Sequence, residues 1–223
     1  MNNIKRIAIW SSWFRLSHLL IGLSTLVLLA TGSLVQHSPL LALPAADIHN
    51  YSAGFFLAGL VIRIILMFFG KPHERIAYLI PKTSELRGII EMLRFYALLG
   101  KAKLPNWYAQ NPFWKPIYLF IYIILIAQLI SGIVLGNEDF ILGHPPRPVH
   151  QLGSELLLIF SLLHILCVIW HDYKAAGSDV SAMINGLRTF TSENNSDMNK
   201  TSQAVKFTPM SEFSSKNTPS KKP

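Results

Sequence analysis

The sequence holds eight histidines in 223 residues, and four of them lie in or at the ends of long apolar blocks. His18 is in the first block, His49 opens the second, and His150 and His164 belong to the fourth. An ionisable side chain inside a bilayer is costly and calls for a specific role. His150 and His164 are fourteen residues apart. At about 100° per residue this falls about 40° short of four helical turns, so both side chains point the same way. Their Cα atoms are then about 21 Å apart along the helix axis. Two neutral imidazoles from facing helices are what the axial positions of a six-coordinate haem iron require. Iron saturated in this way favours electron transfer over oxygen activation.

Four helices must carry these residues. The chain is 51 % apolar and 14 % charged, with a mean hydropathy of +0.35. A soluble domain of this length needs a polar coat that such a composition lacks. The single cysteine, Cys167, excludes an internal disulfide, a Cys-x-x-Cys pair and covalent haem attachment. The apolar blocks at about 16–35, 49–69, 117–135 and 151–170 each match the roughly 20 residues that cross a hydrocarbon layer as a helix. The first block is too long for the apolar region of a signal peptide, and Thr31-Gly32-Ser33 is a poor cleavage site.

Positive charge divides sharply between the connections. Lys5, Arg6 and Arg15 precede the first span, eight Lys and Arg residues from Lys71 to Lys115 fill the central loop, and Lys174 and Arg188 follow the fourth. The two short loops hold only Arg147. The positive-inside rule places both termini and the central loop in the cytoplasm. The net charge of +8 is thus a topology signal that needs no nucleic acid to explain it. With that orientation His18 and His164 share the inner depth, and His49 and His150 share the outer one. The pattern predicts one haem per side, with the tryptophans at positions 10, 13, 107, 114 and 170 forming an interfacial belt.

Other polar groups receive secondary roles. Arg63 lies fourteen residues after His49, on the same helix face, where it meets an inner haem propionate or snorkels to headgroups. Arg15 is a topology anchor or a contact for a propionate or quinone. Gly22, Gly54 and Gly153 follow ligand histidines by three to five residues and suit close approach of a haem or a helix. His37, His73, His144 and His171 are read as solvent or headgroup contacts, and Cys167 as a packing residue. Prolines 39, 44, 145, 146 and 148 mark tight connections. Residues 84–99 alternate apolar and charged side chains at helical period, as for a helix on the cytoplasmic surface.

Several segments resemble the b-type cytochrome subunit of membrane-bound nickel–iron hydrogenases. They are Trp13-Phe14-Arg15-Leu16-Ser17-His18, with its Arg-x-x-His; His49-Asn50-Tyr51-Ser52-Ala53-Gly54 followed by Arg63; the stretch from Phe69-Gly70 through Arg94-Phe95-Tyr96 to Asn111-Pro112; His150-Gln151-Leu152-Gly153 with His164; and Met183-Ile184-Asn185-Gly186-Leu187-Arg188. The gamma subunit of formate dehydrogenase is related. The resemblance covers about residues 10–190. It implies a di-haem cytochrome b in a four-helix transmembrane bundle, passing electrons between a periplasmic partner and membrane quinone. It also implies His49 and His150 as outer ligands, His18 and His164 as inner ligands, and a quinone site near the inner haem, where Arg15, Ser17 or Arg63 contribute. The outer loops are short, so the periplasmic partner is a hydrogenase-like enzyme or a c-type cytochrome.

The expected organisation is an all-α membrane domain over residues 1–190 and a disordered cytoplasmic tail over 191–223, rich in Ser, Thr, Asn and Lys. Two other functions compete. One is a stand-alone cytochrome b that takes electrons from a small molecule such as superoxide and passes them to quinone. The other is a haem-free transporter or scaffold, which would more often break its helices at mid-membrane.

Overall fold

The computed structural model describes residues 5–137, 143, 145–174 and 179–190. Among these, the main elements in chain order are β1 (Lys5–Ala8), α1 (Ser12–His37), α2 (Ala42–Phe69), α3 (Ile76–Leu79), α4 (Leu86–Ala97), α5 (Trp114–Asn137), α6 (Pro146–Lys174), α7 (Asp179–Asn185) and β2 (Leu187–Phe190). The chain divides into two compact units. Arg6–Thr189 holds every described helix; of the other, Met1–Lys5 with Phe190–Pro223, only Lys5 and Phe190 are described. Residues 138–142, His144 and the tail from 191 onward lie outside the described residues, and with them the readings of His144 and of the tail.

Helices α1, α2, α5 and α6 are each long and apolar enough to cross a membrane, so the fold is the expected all-α membrane bundle. They pack as the pairs α1–α2 and α5–α6, and α1 also meets α6. Large apolar side chains such as Leu19, Leu23, Phe55, Ile65, Phe120 and Leu162 point outward and are exposed. In water that surface would drive aggregation; in lipid it is the matching one. The buried core joins Phe56 and Leu60 of α2, Ile121, Ile124 and Leu125 of α5, and Leu157 of α6. Leu157 is seven residues from both His150 and His164, so this apolar layer separates the two histidine levels. At Gly59 an added Cβ would sit 2.8 Å from the Leu20 Cβ and 3.0 Å from the Ile21 nitrogen. Glycine there sets how closely α1 and α2 approach.

The helix limits correct the sequence reading. The connection between α1 and α2 is only Ser38–Leu41, and α2 starts at Ala42, so His49 lies two turns inside it. Pro44, Pro146 and Pro148 lie in first turns and not in connections. The first backbone N–H groups of a helix have no intrahelical acceptor, so a proline there loses nothing.

The polar cap is tightly joined. Ser11 is the N-cap of α1, accepting from the Phe14 N–H at 3.1 Å, and its own N–H donates to Glu74 Oε1 at 2.8 Å. Glu74 is fully buried in a short 3₁₀ turn and also accepts from the Lys71 N–H. His73 is not a solvent contact: its Nε2 donates to the Ile9 carbonyl at 2.6 Å, and its ring meets Trp10 edge-on. Burial, the largest cause, holds the His73 pKa below its ordinary 6.5. Tyr78 in α3 is pushed up to about 12, first by burial and then by Glu85. Buried Lys115, at the start of α5, pairs with Glu85 and lies 3.8 Å from the Tyr78 ring centre. Strands β1 and β2 pair, a feature with no periodic signal in four-residue segments, and Gly186 turns the chain into β2 at φ 80°.

Helix α4 lies within the segment read as amphipathic. Met92 and Phe95 are fully buried, whereas Leu86, Ile90 and Leu93 form an exposed stripe at helical spacing. Two of the five belt tryptophans are buried in the protein. Trp10 and Trp114 are buried, Trp10 stacking on Phe14 and Trp114 donating its indole N–H to the Tyr96 hydroxyl at 2.7 Å. Trp13 remains exposed.

Candidate functional site

The structure brings the four histidines together in two pairs, each joining different helices. The His18 (α1) and His164 (α6) ring centres are 6.2 Å apart, and those of His49 (α2) and His150 (α6) are 6.4 Å apart. With metal–imidazole bonds of about 2.0–2.1 Å and about 1.1 Å from ring nitrogen to ring centre, two rings on opposite sides of one iron have centres about 6.3 Å apart. Both pairs match that separation. Among the described residues no group of three or more His, Cys, Asp or Glu side chains gathers to hold a bare ion. Two imidazoles alone make an incomplete ligand set. They suit a metal that brings its remaining ligands with it, as the iron of a haem does.

The inner pair opens on a cavity of about 610 Å³ lined mainly by apolar and aromatic side chains. That volume lies within the roughly 300–1,000 Å³ of cofactor and ligand sites. His164 stacks on Phe160 with ring centres 5.5 Å apart and meets Tyr118 and Trp114 edge-on. Its Nδ1 is buried with no hydrogen-bond partner. Gly22 lines the same cavity, and a Cβ there or at Gly54 would meet nothing within 4 Å, so both glycines face open space. Gly153 differs: a Cβ there would run into the Gln128 side chain, which makes it a helix-packing glycine.

Arg63 does not snorkel. It is 2 % exposed, its Nε donates to the Tyr122 hydroxyl at 2.7 Å, and Nη1 donates to the Glu74 carbonyl at 2.7 Å. Its guanidinium lies 4.8 Å from the Phe14 ring centre, and its Nη2 is buried with no partner. Arg63 lines the cavity with His18, so a cation with one unused donor faces the space beside the inner pair. Buried donors are normally satisfied. A haem propionate is an acceptor of the right charge. Arg15 is turned elsewhere: its guanidinium donates to the Ile184 carbonyl and to the Ser12 hydroxyl, and it does not line this cavity. Ser17 does line it, but its hydroxyl donates to the Phe14 carbonyl at 2.8 Å.

The outer pair is held by hydroxyls. Thr31 Oγ1 is 3.0 Å from His49 Nδ1, and Ser131 Oγ is 2.9 Å from His150 Nδ1. Sequence reasoning missed both. A signal was present, since Thr31-Gly32 and Ser131-Gly132 sit near the C-terminal ends of α1 and α5, level with His49 and His150.

Three further cavity residues had also gone unassigned or misassigned. Gln110 Oε1 and Asn111 Nδ2 are buried, unpartnered, and line the cavity. His171 is 3 % exposed and not a headgroup contact; its Nε2 is 2.9 Å from the Tyr96 hydroxyl, and its ring packs on Trp107. His37 is exposed at the end of α1, as expected, and Cys167 is half-buried along the cavity wall.

Comparison with known proteins identifies the family. Residues 9–186 match the family described as prokaryotic cytochrome b561. A probable Ni/Fe-hydrogenase B-type cytochrome subunit of Cupriavidus necator is 24 % identical over 219 residues, covering 84 % of this chain and 89 % of that protein. Proteins of the same description from Bradyrhizobium diazoefficiens and Azotobacter vinelandii are 26 % and 24 % identical, covering 79 % and 82 % of this chain and 83 % and 88 % of theirs. No solved structure matches the chain. With four membrane-length helices and a family match over most of its length, this chain belongs to the prokaryotic cytochrome b561 family and is a multi-pass, b-type membrane cytochrome that transfers electrons.

Proposed function

We propose that the chain holds two b haems, one between His18 and His164 and one between His49 and His150, and carries electrons between a periplasmic redox partner and membrane quinone. The observation that carries this reading is the pair of inter-helix histidine separations, 6.2 and 6.4 Å, at two levels fourteen residues apart on α6. Haem iron, when bound, supplies reversible one-electron exchange. The chain's own residues do the rest. The histidines orient the ring planes, Arg63 Nη2 offers a charged donor to a propionate, and the core around Leu157 keeps the space between the levels dry.

The quinone site belongs to the inner cavity. A quinone needs an apolar slot and hydrogen-bond partners for its two oxygens. Asn111 Nδ2 is a free donor, and buried Gln110 turns its unpartnered carbonyl to the same wall, suited to a quinol hydroxyl. Positive charge on the connections beside this cavity supports the cytoplasmic side, with both termini there, in a bacterial inner membrane. The relatives are described as hydrogenase subunits, which supports a hydrogenase-like periplasmic partner, and a c-type cytochrome is the other candidate.

The test uses purified, haem-loaded protein reduced chemically and mixed with a short-chain quinone. Reoxidation is expected to be rapid in the wild type and at least about tenfold slower in Asn111→Leu, a change of about 1.4 kcal/mol in barrier. The haem spectrum should be unchanged. Equal rates in both proteins would place quinone elsewhere. Rapid reduction of the isolated chain by superoxide, coupled to quinone reduction, would favour the stand-alone oxidoreductase instead.

A further inference from the structure

We infer that Thr31 and Ser131 are positioning residues for the outer histidine pair, fixing the ring tautomer and lowering the reduction potential of the metal held there. This rests on reading the histidine pairs as haem ligands.

A hydroxyl has one proton to give. Thr31 Oγ1 lies 2.7 Å from the Val27 carbonyl of its own helix, and Ser131 Oγ lies 3.1 Å from the Gln128 carbonyl. A carbonyl only accepts, so each hydroxyl proton is committed to its helix. Toward His49 and His150 each hydroxyl oxygen therefore acts as acceptor, and the imidazole Nδ1–H is the donor. Both rings thus carry a proton on Nδ1. That leaves the Nε2 lone pair free for a metal, with no tautomer change on binding.

The two devices are alike although they come from different helix pairs. In each, a buried hydroxyl, 6 % exposed at Thr31 and 1 % at Ser131, is followed by glycine. A Cβ at Gly32 would meet the His49 ring at 3.5 Å, and one at Gly132 would meet the His150 ring at 3.2 Å. The hydroxyl holds the ring from the Nδ1 side while the glycine leaves space for its Cε1 edge. The inner pair has no such device at His164, whose Nδ1 is buried and unpartnered beside Phe160, Tyr118 and Trp114.

A hydrogen bond accepted from Nδ1–H makes the imidazole a stronger donor through Nε2. Stronger donation stabilises ferric iron over ferrous and lowers the potential. Each hydroxyl therefore makes the outer centre more reducing than it would be without that hydrogen bond.

The test is a redox titration of the haem-loaded full chain, followed by haem absorption and by electron paramagnetic resonance of the ferric state. Thr31→Val and Ser131→Ala should each raise the potential of one centre and alter its ferric signal, leaving the other unmoved. Thr31→Ser and Ser131→Thr should return both readings toward wild type. A two-haem protein whose titration is unmoved by either substitution overturns this inference alone, as does a shift of both centres together. A wild type without two haems overturns the underlying reading too. If one substitution prevents assembly, the other, together with the Ser/Thr exchanges, decides the question.

Discussion

Arg63 carries much of the polar order beside the inner pair. Arg63→Met would leave the Tyr122 hydroxyl and the Glu74 carbonyl without their donor. Each buried group left unpaired costs about 1–3 kcal/mol, so the melting temperature in detergent should fall clearly. The loss of a cation should also lower the potential of the inner centre and leave the outer one alone. A stable variant with both potentials unchanged would show that Arg63 faces no cofactor. His73 gives a pH prediction. Burial depresses its pKa below 6.5, so protonation favours the unfolded chain, and stability present at neutral pH is lost as pH falls below 6.5. In His73→Gln, which keeps a donor toward the Ile9 carbonyl, the melting temperature should fall less steeply between about pH 6.5 and 5 than in the wild type. Parallel curves would remove His73 from the pH response. At this scale the four histidines were legible because type, spacing and depth all repeat. Their hydroxyl partners were not, since a serine or threonine within a span is usually satisfied by its own helix. His171 was misread for the opposite reason: a span-end position suggests an interface, while the aromatic side chains that bury it come from α4 and the central loop.

At the scale of elements, helix existence followed from apolar length, but helix limits did not. First-turn prolines read as breaks from sequence and start helices in the structure. Helix α4 was legible as amphipathic, yet periodicity could not tell which apolar residues face protein. The structure buries Met92 and Phe95 and leaves Leu86, Ile90 and Leu93 outside. Met92→Ala is expected to cost about 2–5 kcal/mol, and Ile90→Ala under about 0.5 kcal/mol, in detergent unfolding measurements. Comparable costs would mean that the exposed stripe packs on something within the protein. The α1–α2 crossing gives a sharper case. Gly59→Leu places its side chain against Leu20 and the Ile21 backbone, and neither can yield without moving a helix. Overpacking of this kind costs about 1–3 kcal/mol or more. Because α1 carries His18 and α2 carries His49, haem content should drop at both levels in Gly59→Leu. Selective loss at one level would contradict a shared α1–α2 register.

The whole molecule joins two histidine levels, an apolar layer between them, and one largely apolar cavity beside His18 and His164. Bundle class and span number were readable because bilayer thickness imposes them on any sequence. The cavity was not readable, since residues from α1, α2, α5, α6, α7 and the central loop build it together. The most direct test is haem stoichiometry per chain in wild type, His150→Ala and His164→Ala, by pyridine haemochrome absorption against protein mass. The account predicts two haems in the wild type and one in each variant, with different spectra and potentials for the haem that remains. One haem in the wild type, or variants that keep both haems, would contradict it.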